Sequence, residues 1–155
     1  MTDTTIVTSG ADSYAISTSD ANATFTNTVL NNPAEWLVTT ALGNITLINT
    51  SFSGTDGTVY FNATLNVTSL FDVTHRVFNI TTNRVFLNST NLTFMNTSAR
   101  ISLTGLTSGT HTATVDINDS GTFVACESSL CTAVSSTSTS YIFDVTHFTA
   151  YSTST

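Results

Sequence analysis

Ten asparagines in this chain stand in the acceptor pattern for N-linked sugar, Asn-x-Ser/Thr with x not proline. They are Asn22, Asn44, Asn49, Asn62, Asn66, Asn79, Asn88, Asn91, Asn96 and Asn118. The chemistry they offer is attachment of a glycan through the side-chain amide nitrogen, at a surface site of an exported protein. The chain has 14 Asn, 35 Thr and 20 Ser. Composition alone would place about five asparagines in the pattern, so the observed set is about a twofold excess. The middle residue is apolar in Asn22-Ala-Thr, Asn44-Ile-Thr, Asn62-Ala-Thr, Asn66-Val-Thr, Asn79-Ile-Thr and Asn91-Leu-Thr. On a strand, residues two apart share a face. Asn and Thr then point to water while the middle residue points inward.

The remaining chemistry is sparse. Cys126-Glu-Ser-Ser-Leu-Cys131 contains both cysteines of the chain. It reads as a disulfide closing a small loop, since a metal knuckle needs further Cys or His ligands nearby and none is evident. Phe71-Asp-Val-Thr-His75 recurs as Phe143-Asp-Val-Thr-His147. In each copy Asp and His are three apart and diverge on a strand, so they make no acid–base dyad and read as structural. There is no Gly-x-Ser-x-Gly elbow and no glycine-rich phosphate loop. Two Glu and scattered Asp build no carboxylate pair for hydrolysis. Asp116, Asn118, Ser120, Gly121 and Glu127 fall at positions 1, 3, 5, 6 and 12 of a calcium loop. The β-type flanks, the sequon at Asn118 and the neighbouring Cys126 favour a turn without metal. The expectation is a protein that is no enzyme, with no metal and no cofactor beyond covalent N-glycans.

Composition narrows the class. The chain has 155 residues, 40% hydrophobic and 8% charged, with a net charge of −7. Three Arg and no Lys cannot supply the cationic patch that nucleic acid or anionic lipid requires. No apolar run approaches the roughly 20 residues of a membrane-spanning helix. Without Lys or Gln, neither Lys–Asn isopeptide nor Thr–Gln ester crosslinks can form. Residues 1–10 show neither a basic start nor an apolar core of a secretory signal. The expectation is a chain already processed, because the sequons argue for export.

Such side chains need extended backbone to position them. The Thr, Ser and Asn load opposes long helices, and period-two alternation is clear over Gly57–Thr68, with Val59, Phe61, Ala63, Leu65 and Val67 on one face. Similar strand candidates run over 22–30, 35–41, 44–51, 73–80, 83–88, 91–95, 99–104, 110–117, 121–126, 131–136 and 140–151. A turn of helix near Asn32–Trp36 would use Asn32 as cap and Pro33 at the first position. The fold expected is all-β: a β-sandwich, jelly-roll or Ig-like, over residues 21–155, with residues 1–20 as an extended arm that could pair with a sheet edge as a donor strand. The alternative is a β-solenoid, because Asn22, Asn44, Asn66 and Asn88 recur every 22 residues. The 12-residue alternation at 57–68 favours the sandwich.

Residues 86–103, the Cys126/Cys131 pair and Phe143-Asp-Val-Thr-His-Phe-Thr-Ala-Tyr151 resemble modules of archaeal cell-surface proteins: S-layer-like, sequon-bearing β proteins that often end in a strand of this last type. The resemblance covers roughly residues 40–151. It implies export, N-glycosylation and a structural role. This chain is shorter than such proteins and shows no anchor helix, so the expectation is a subunit held by its neighbours rather than by insertion into membrane. The leading expectation is therefore a structural subunit of a glycosylated extracellular filament or surface layer, partnered by copies of itself through β-strand addition. The alternatives are a cell-surface adhesin or carbohydrate-binding module, which would expose Trp36 and tyrosines for sugar stacking, and a capsid or spike protein of an archaeal virus.

Overall fold

The structure is a computed structural model and describes residues 3–8, 13–31, 35–40, 43–68, 72–118 and 120–155. Six strands precede residue 55: β1 (Thr5–Val7), β2 (Tyr14–Ser19), β3 (Asn22–Thr26), β4 (Val29–Asn31), β5 (Glu35–Thr40) and β6 (Asn44–Gly54). They stack in parallel tiers. β1 pairs with β4, β3 and β4 both pair with β6, and β2 pairs with β5. Asn22 lies beside Asn44, Phe25 beside Leu47 and Val29 beside Ser51, so the 22-residue spacing is the parallel register of β3 and β4 on β6. Each tier is bent where a residue takes left-handed backbone: Asp3 at φ 51°, Asn27 at 49° and Asn49 at 51°. Asn and Asp tolerate this region better than other side chains that carry a Cβ. Asn27 separates β3 from β4, and Asn49 sits at a register shift in β6.

The parallel stack stops at β6, which is why the molecule is a sandwich and not a solenoid. The next strand, β7 (Gly57–Thr68), turns back antiparallel, with Gly57 opposite Gly54 and Thr68 opposite Asn44. Its alternation is as expected: Val59, Phe61, Leu65 and Val67 are buried, while Asn62, Thr64, Asn66 and Thr68 are exposed. A Cβ at Gly57 would collide with the Ser102 carbonyl on the neighbouring strand, so glycine permits that close approach. Then follow β8 (Asp72–Val73), β9 (Phe78–Thr81), β10 (Arg84–Leu87), β11 (Ala99–Thr104), β12 (Thr112–Asp116), β13 (Val124–Ala125), β14 (Cys131–Ser136), β15 (Ser140–Val145) and β16 (Ala150–Ser154). One sheet runs β1-β4-β6-β7-β11-β15-β14 with β3 also on β6; a second runs β13-β12-β16-β10-β9; a third runs β2-β5-β8.

Four local expectations change. The 73–80 stretch is not one strand: it breaks at the turn over 75–77, so that β8 and β9 go to different sheets. Residues 91–95 are not a strand but a 3-10 turn at Thr93–Met95, with Leu92 and Met95 buried at a spacing of three. The 140–151 stretch breaks after Val145, so β15 and β16 go to different sheets. Trp36 lies in β5, while Asn32 and Pro33 of the expected helical turn lie outside the described residues. Of the arm expected over 1–20, β1 and β2 pair with β4 and β5 of the same chain, and Ile16 is buried in its core.

The three sheets meet on one aromatic core. Phe61 on β7 stands 6.4 Å from Phe78 on β9, and Phe143 on β15 stands 6.1 Å from Tyr151 on β16, each edge to face. Trp36 joins the third sheet to this core at 5.4 Å from Phe52. Its indole N–H donates to the Phe78 carbonyl at 2.9 Å, so its one polar atom is satisfied where it is buried. Burial pushes the Tyr151 hydroxyl up to about 12, and it donates to the His147 carbonyl at 2.6 Å.

Candidate functional site

None of the ten sequon asparagines is buried. Asn22, Asn62, Asn66, Asn91, Asn96 and Asn118 are exposed, and Asn44, Asn49, Asn79 and Asn88 are half-buried. Between Asn and Thr, Ile45, Val67, Ile80 and Leu92 are buried and Ala23 and Ala63 are half-buried. The pleat delivers this: Asn22 on β3, Asn44 on β6, Asn62 and Asn66 on β7 and Asn79 on β9 share the outward face with their Thr. Asn88 and Asn91 form a turn in which Asn88 Oδ1 accepts from the Asn91 N–H at 3.1 Å. Asn96 follows the 3-10 turn and accepts from the Phe148 N–H at 3.0 Å, while Asn118 lies in the turn after β12.

Several of these side chains also interact with one another, which strand alternation alone did not reveal. Asn44 Nδ2 donates to Asn22 Oδ1 at 3.0 Å. One tier-end over, Asn27 Nδ2 donates to Asp3 Oδ1 at 2.9 Å and Asn49 Nδ2 to Asn27 Oδ1 at 3.3 Å. Asp3, Asn27 and Asn49, three of the five left-handed non-glycine residues among those described, thus form a column in which each asparagine amide donates to the tier before it. Asn66 Oδ1 accepts from the Thr46 hydroxyl at 3.3 Å. The sequence signal for the column was the recurrence of Asn near the 22-residue period, but which residues stack needed the parallel register.

A cleft of about 320 Å³ lies on the outer face of the large sheet, lined by Tyr60, Asn62, Ser98, Ala99, Arg100, Asp144 and Val145. Tyr60 on β7, Arg100 on β11 and Asp144 on β15 stand in one cross-strand row. Arg100 grips Asp144 with two bonds, Nε to Oδ1 at 2.8 Å and Nη2 to Oδ2 at 2.9 Å. Both side chains remain about half exposed. Hydrogen bonding by Arg100 holds the Asp144 carboxyl below the usual carboxylate range, and Asp144 in turn raises the guanidinium. Composition gave no hint of this pair, because 44 residues separate its members and only the β11–β15 pairing aligns them.

The other singled-out residues have structural surroundings. Cys126 and Cys131 form a disulfide, with Cα atoms 5.9 Å apart. It ties the end of β13 to the start of β14, and so links the edges of two different sheets. Asp116 is 1% exposed, and its carboxylate is taken up by the turn that follows: Oδ1 accepts from the Ser120 N–H at 3.0 Å and hydroxyl at 3.2 Å, and Oδ2 from the Gly121 N–H at 2.6 Å. Burial pushes this carboxyl up, but the donors at Ser120, Gly121 and Asn118 outweigh it and hold the group below its ordinary value. Among the described residues no group of three His, Cys, Asp or Glu gathers as metal ligands would. Trp36 is 1% exposed, so it is not available for the sugar stacking that an adhesin would ask of it. The two Phe-Asp-Val-Thr-His segments do not occupy equivalent strands: Asp72 and Val73 lie in the three-stranded sheet and Phe143–Val145 in the large one, while Phe71 is outside the described residues. The His75 ring lies tilted against Trp36, 5.2 Å away, and His147 is half-buried beside Thr146. No family model matches the chain, and no curated protein or solved structure matches it either. Among the described residues no helix is long and apolar enough to cross a membrane.

Proposed function

We propose that this chain is a structural subunit of a glycosylated extracellular filament or surface layer, in the manner of the archaeal cell-surface proteins it resembles. The observation that carries the reading is the placement of the sequons: ten acceptor asparagines and not one buried, with the residue between Asn and Thr turned to the interior wherever it is a large apolar one on a strand. Glycans on such a surface leave the core undisturbed and blunt unwanted edge pairing. The disulfide agrees with an oxidising exterior.

The partners are copies of the same chain, joined by β-strand addition. The large sheet ends in β1 on one side and β14 on the other. Neither strand carries a charged side chain, and Thr132–Ser136 of β14 are all exposed. Two unlike ends of one sheet favour head-to-tail contacts, which run on as open polymers unless they close into rings. The β1 and β2 segment supplies a second route, since strands that pair with β4 and β5 within one chain can make the same bonds to a neighbour by exchange.

Two measurements test this. The intact mass of native protein is expected to form a ladder above 16.4 kDa that collapses to it on deglycosylation; a bare chain overturns the glycosylated reading. For assembly, Thr5→Cys combined with Val29→Cys places thiols on partnered residues of β1 and β4. Oxidation of assembled material is expected to give covalent oligomers, as an exchanged arm requires. Crosslinks confined to single chains, together with monodisperse particles by negative-stain microscopy, overturn strand addition through the arm.

A further inference from the structure

The geometry points to the cleft at Tyr60, Arg100 and Asp144 as the seat of the first sugars of a glycan on Asn62. The inference rests on the glycosylated reading above and singles out one site within it. Asn62 lies in the cleft wall itself. It follows Tyr60 by two residues on β7, so both side chains leave the same face about 7 Å apart along the strand. Arg100 stands opposite Tyr60 and Asp144 opposite Arg100, which sets a ring, a guanidinium and a carboxylate in one row beside the acceptor amide. Among the described residues no hydrogen bond engages the Asn62 side chain, whereas Asn44 and Asn49 donate into neighbouring tiers.

The chemistry of the row suits a saccharide. A half-buried tyrosine offers a flat apolar face to the C–H side of a pyranose, with its hydroxyl at the wet rim. The Arg100–Asp144 pair uses Nε and Nη2 of the guanidinium between its members, and leaves Nη1 donors and carboxylate lone pairs for sugar hydroxyls. The cleft volume is at the lower end of those that hold small ligands. In the modification, Asn62 Nδ2 forms a bond to the anomeric carbon of an activated glycosyl phosphate. The anomeric C–O bond of that donor breaks, and the amide proton leaves with the phosphate.

The test is a double-mutant cycle on the full chain produced in a host that performs N-glycosylation, read by site-resolved glycopeptide mass spectrometry and thermal unfolding. Asn62→Gln removes the glycan, Tyr60→Thr removes the ring on an exposed strand face, and Tyr60→Phe keeps the ring. Losing the Asn62 glycan is expected to lower Tm by about 2–4 °C when Tyr60 or Phe stands at that position, and by nothing measurable with Thr. Upfield-shifted protons on the first sugar that return to normal in Tyr60→Thr support the same contact. Glycans on other sequons with Asn62 bare, or an equal Tm loss with and without the ring, overturn the seat and leave the glycosylated reading standing. A chain bare at every sequon overturns both.

Discussion

Replacing Asp116 by asparagine tests whether the turn after β12 is closed by a carboxylate or merely passes over one. Three donations to that carboxylate come from Ser120 and Gly121, and the residue is 1% exposed. Asparagine keeps one acceptor oxygen and turns an NH2 group toward an N–H that wants an acceptor. Two bonds lose their charge assistance and one part-buried donor loses its partner, at about 2–4 kcal/mol together. For a chain of this size that is roughly 5–15 °C in Tm, read by circular dichroism at neutral pH. The acid limb gives an independent reading. The folded carboxyl lies below its ordinary value near 3.8, so its stabilisation is complete above the unfolded pKa and is lost as pH falls through the folded one. Wild-type Tm is therefore expected to decline below about pH 5, and Asp116→Asn to decline less steeply. Millimolar calcium is expected to leave wild-type Tm unchanged, because the oxygens a cation would need already face N–H and O–H donors. A variant that melts within about one degree of wild type, or that keeps the wild-type acid slope, refutes the closed-turn account.

Trp36→Phe removes the indole N–H from the Phe78 carbonyl and leaves a void beside Phe52 and His75. The expected cost is about 2–4 kcal/mol in urea unfolding, from one unmet buried acceptor plus lost packing, and an unchanged midpoint would contradict the burial assigned to it. Reducing the Cys126–Cys131 bond frees a loop with a sequence separation of 5, expected to cost about 2 kcal/mol. Because that bond ties the edges of two sheets, amide exchange is expected to rise first in β13 and β14; a uniform rise across the core would contradict this.

Alternation reported most of the fold because it depends only on neighbours in sequence. Val59, Phe61, Leu65 and Val67 had to share a face in any strand, and they are buried together. The errors came where local pattern is ambiguous. Asn91–Met95 carries apolar residues at a spacing that suits a strand, yet Leu92 and Met95 are buried three apart on a tight turn. Within Ser140–Tyr151 the apolar alternation slips phase, from Tyr141, Phe143 and Val145 to Phe148 and Ala150, where the chain crosses from one sheet to the other, and a single strand over 140–151 passes over that slip. The disulfide was legible because two cysteines offer one pairing. The Arg100–Asp144 pair was not, because cross-strand register belongs to tertiary structure.

The asparagines answer to two demands, one from the fold and one from the surface. The ladder of stacked tiers takes Asn or Asp at the left-handed positions Asp3, Asn27 and Asn49 and at the Asn22–Asn44 pair. Asn27 serves the ladder without being a sequon, so stacking alone is enough to hold an asparagine in place. Part of the sequon excess is therefore owed to the fold. The ladder ends with the parallel stack, however, and Asn62, Asn79, Asn91 and Asn118 lie beyond it on an antiparallel strand face, a second sheet and two turns. No tier asks for asparagine at those places, and their Ser or Thr partners two residues on are not required by any stack. The case for sugar rests on these, and occupancy measured site by site is expected to be higher there than at Asn44 and Asn49, whose amide nitrogens already donate within the ladder.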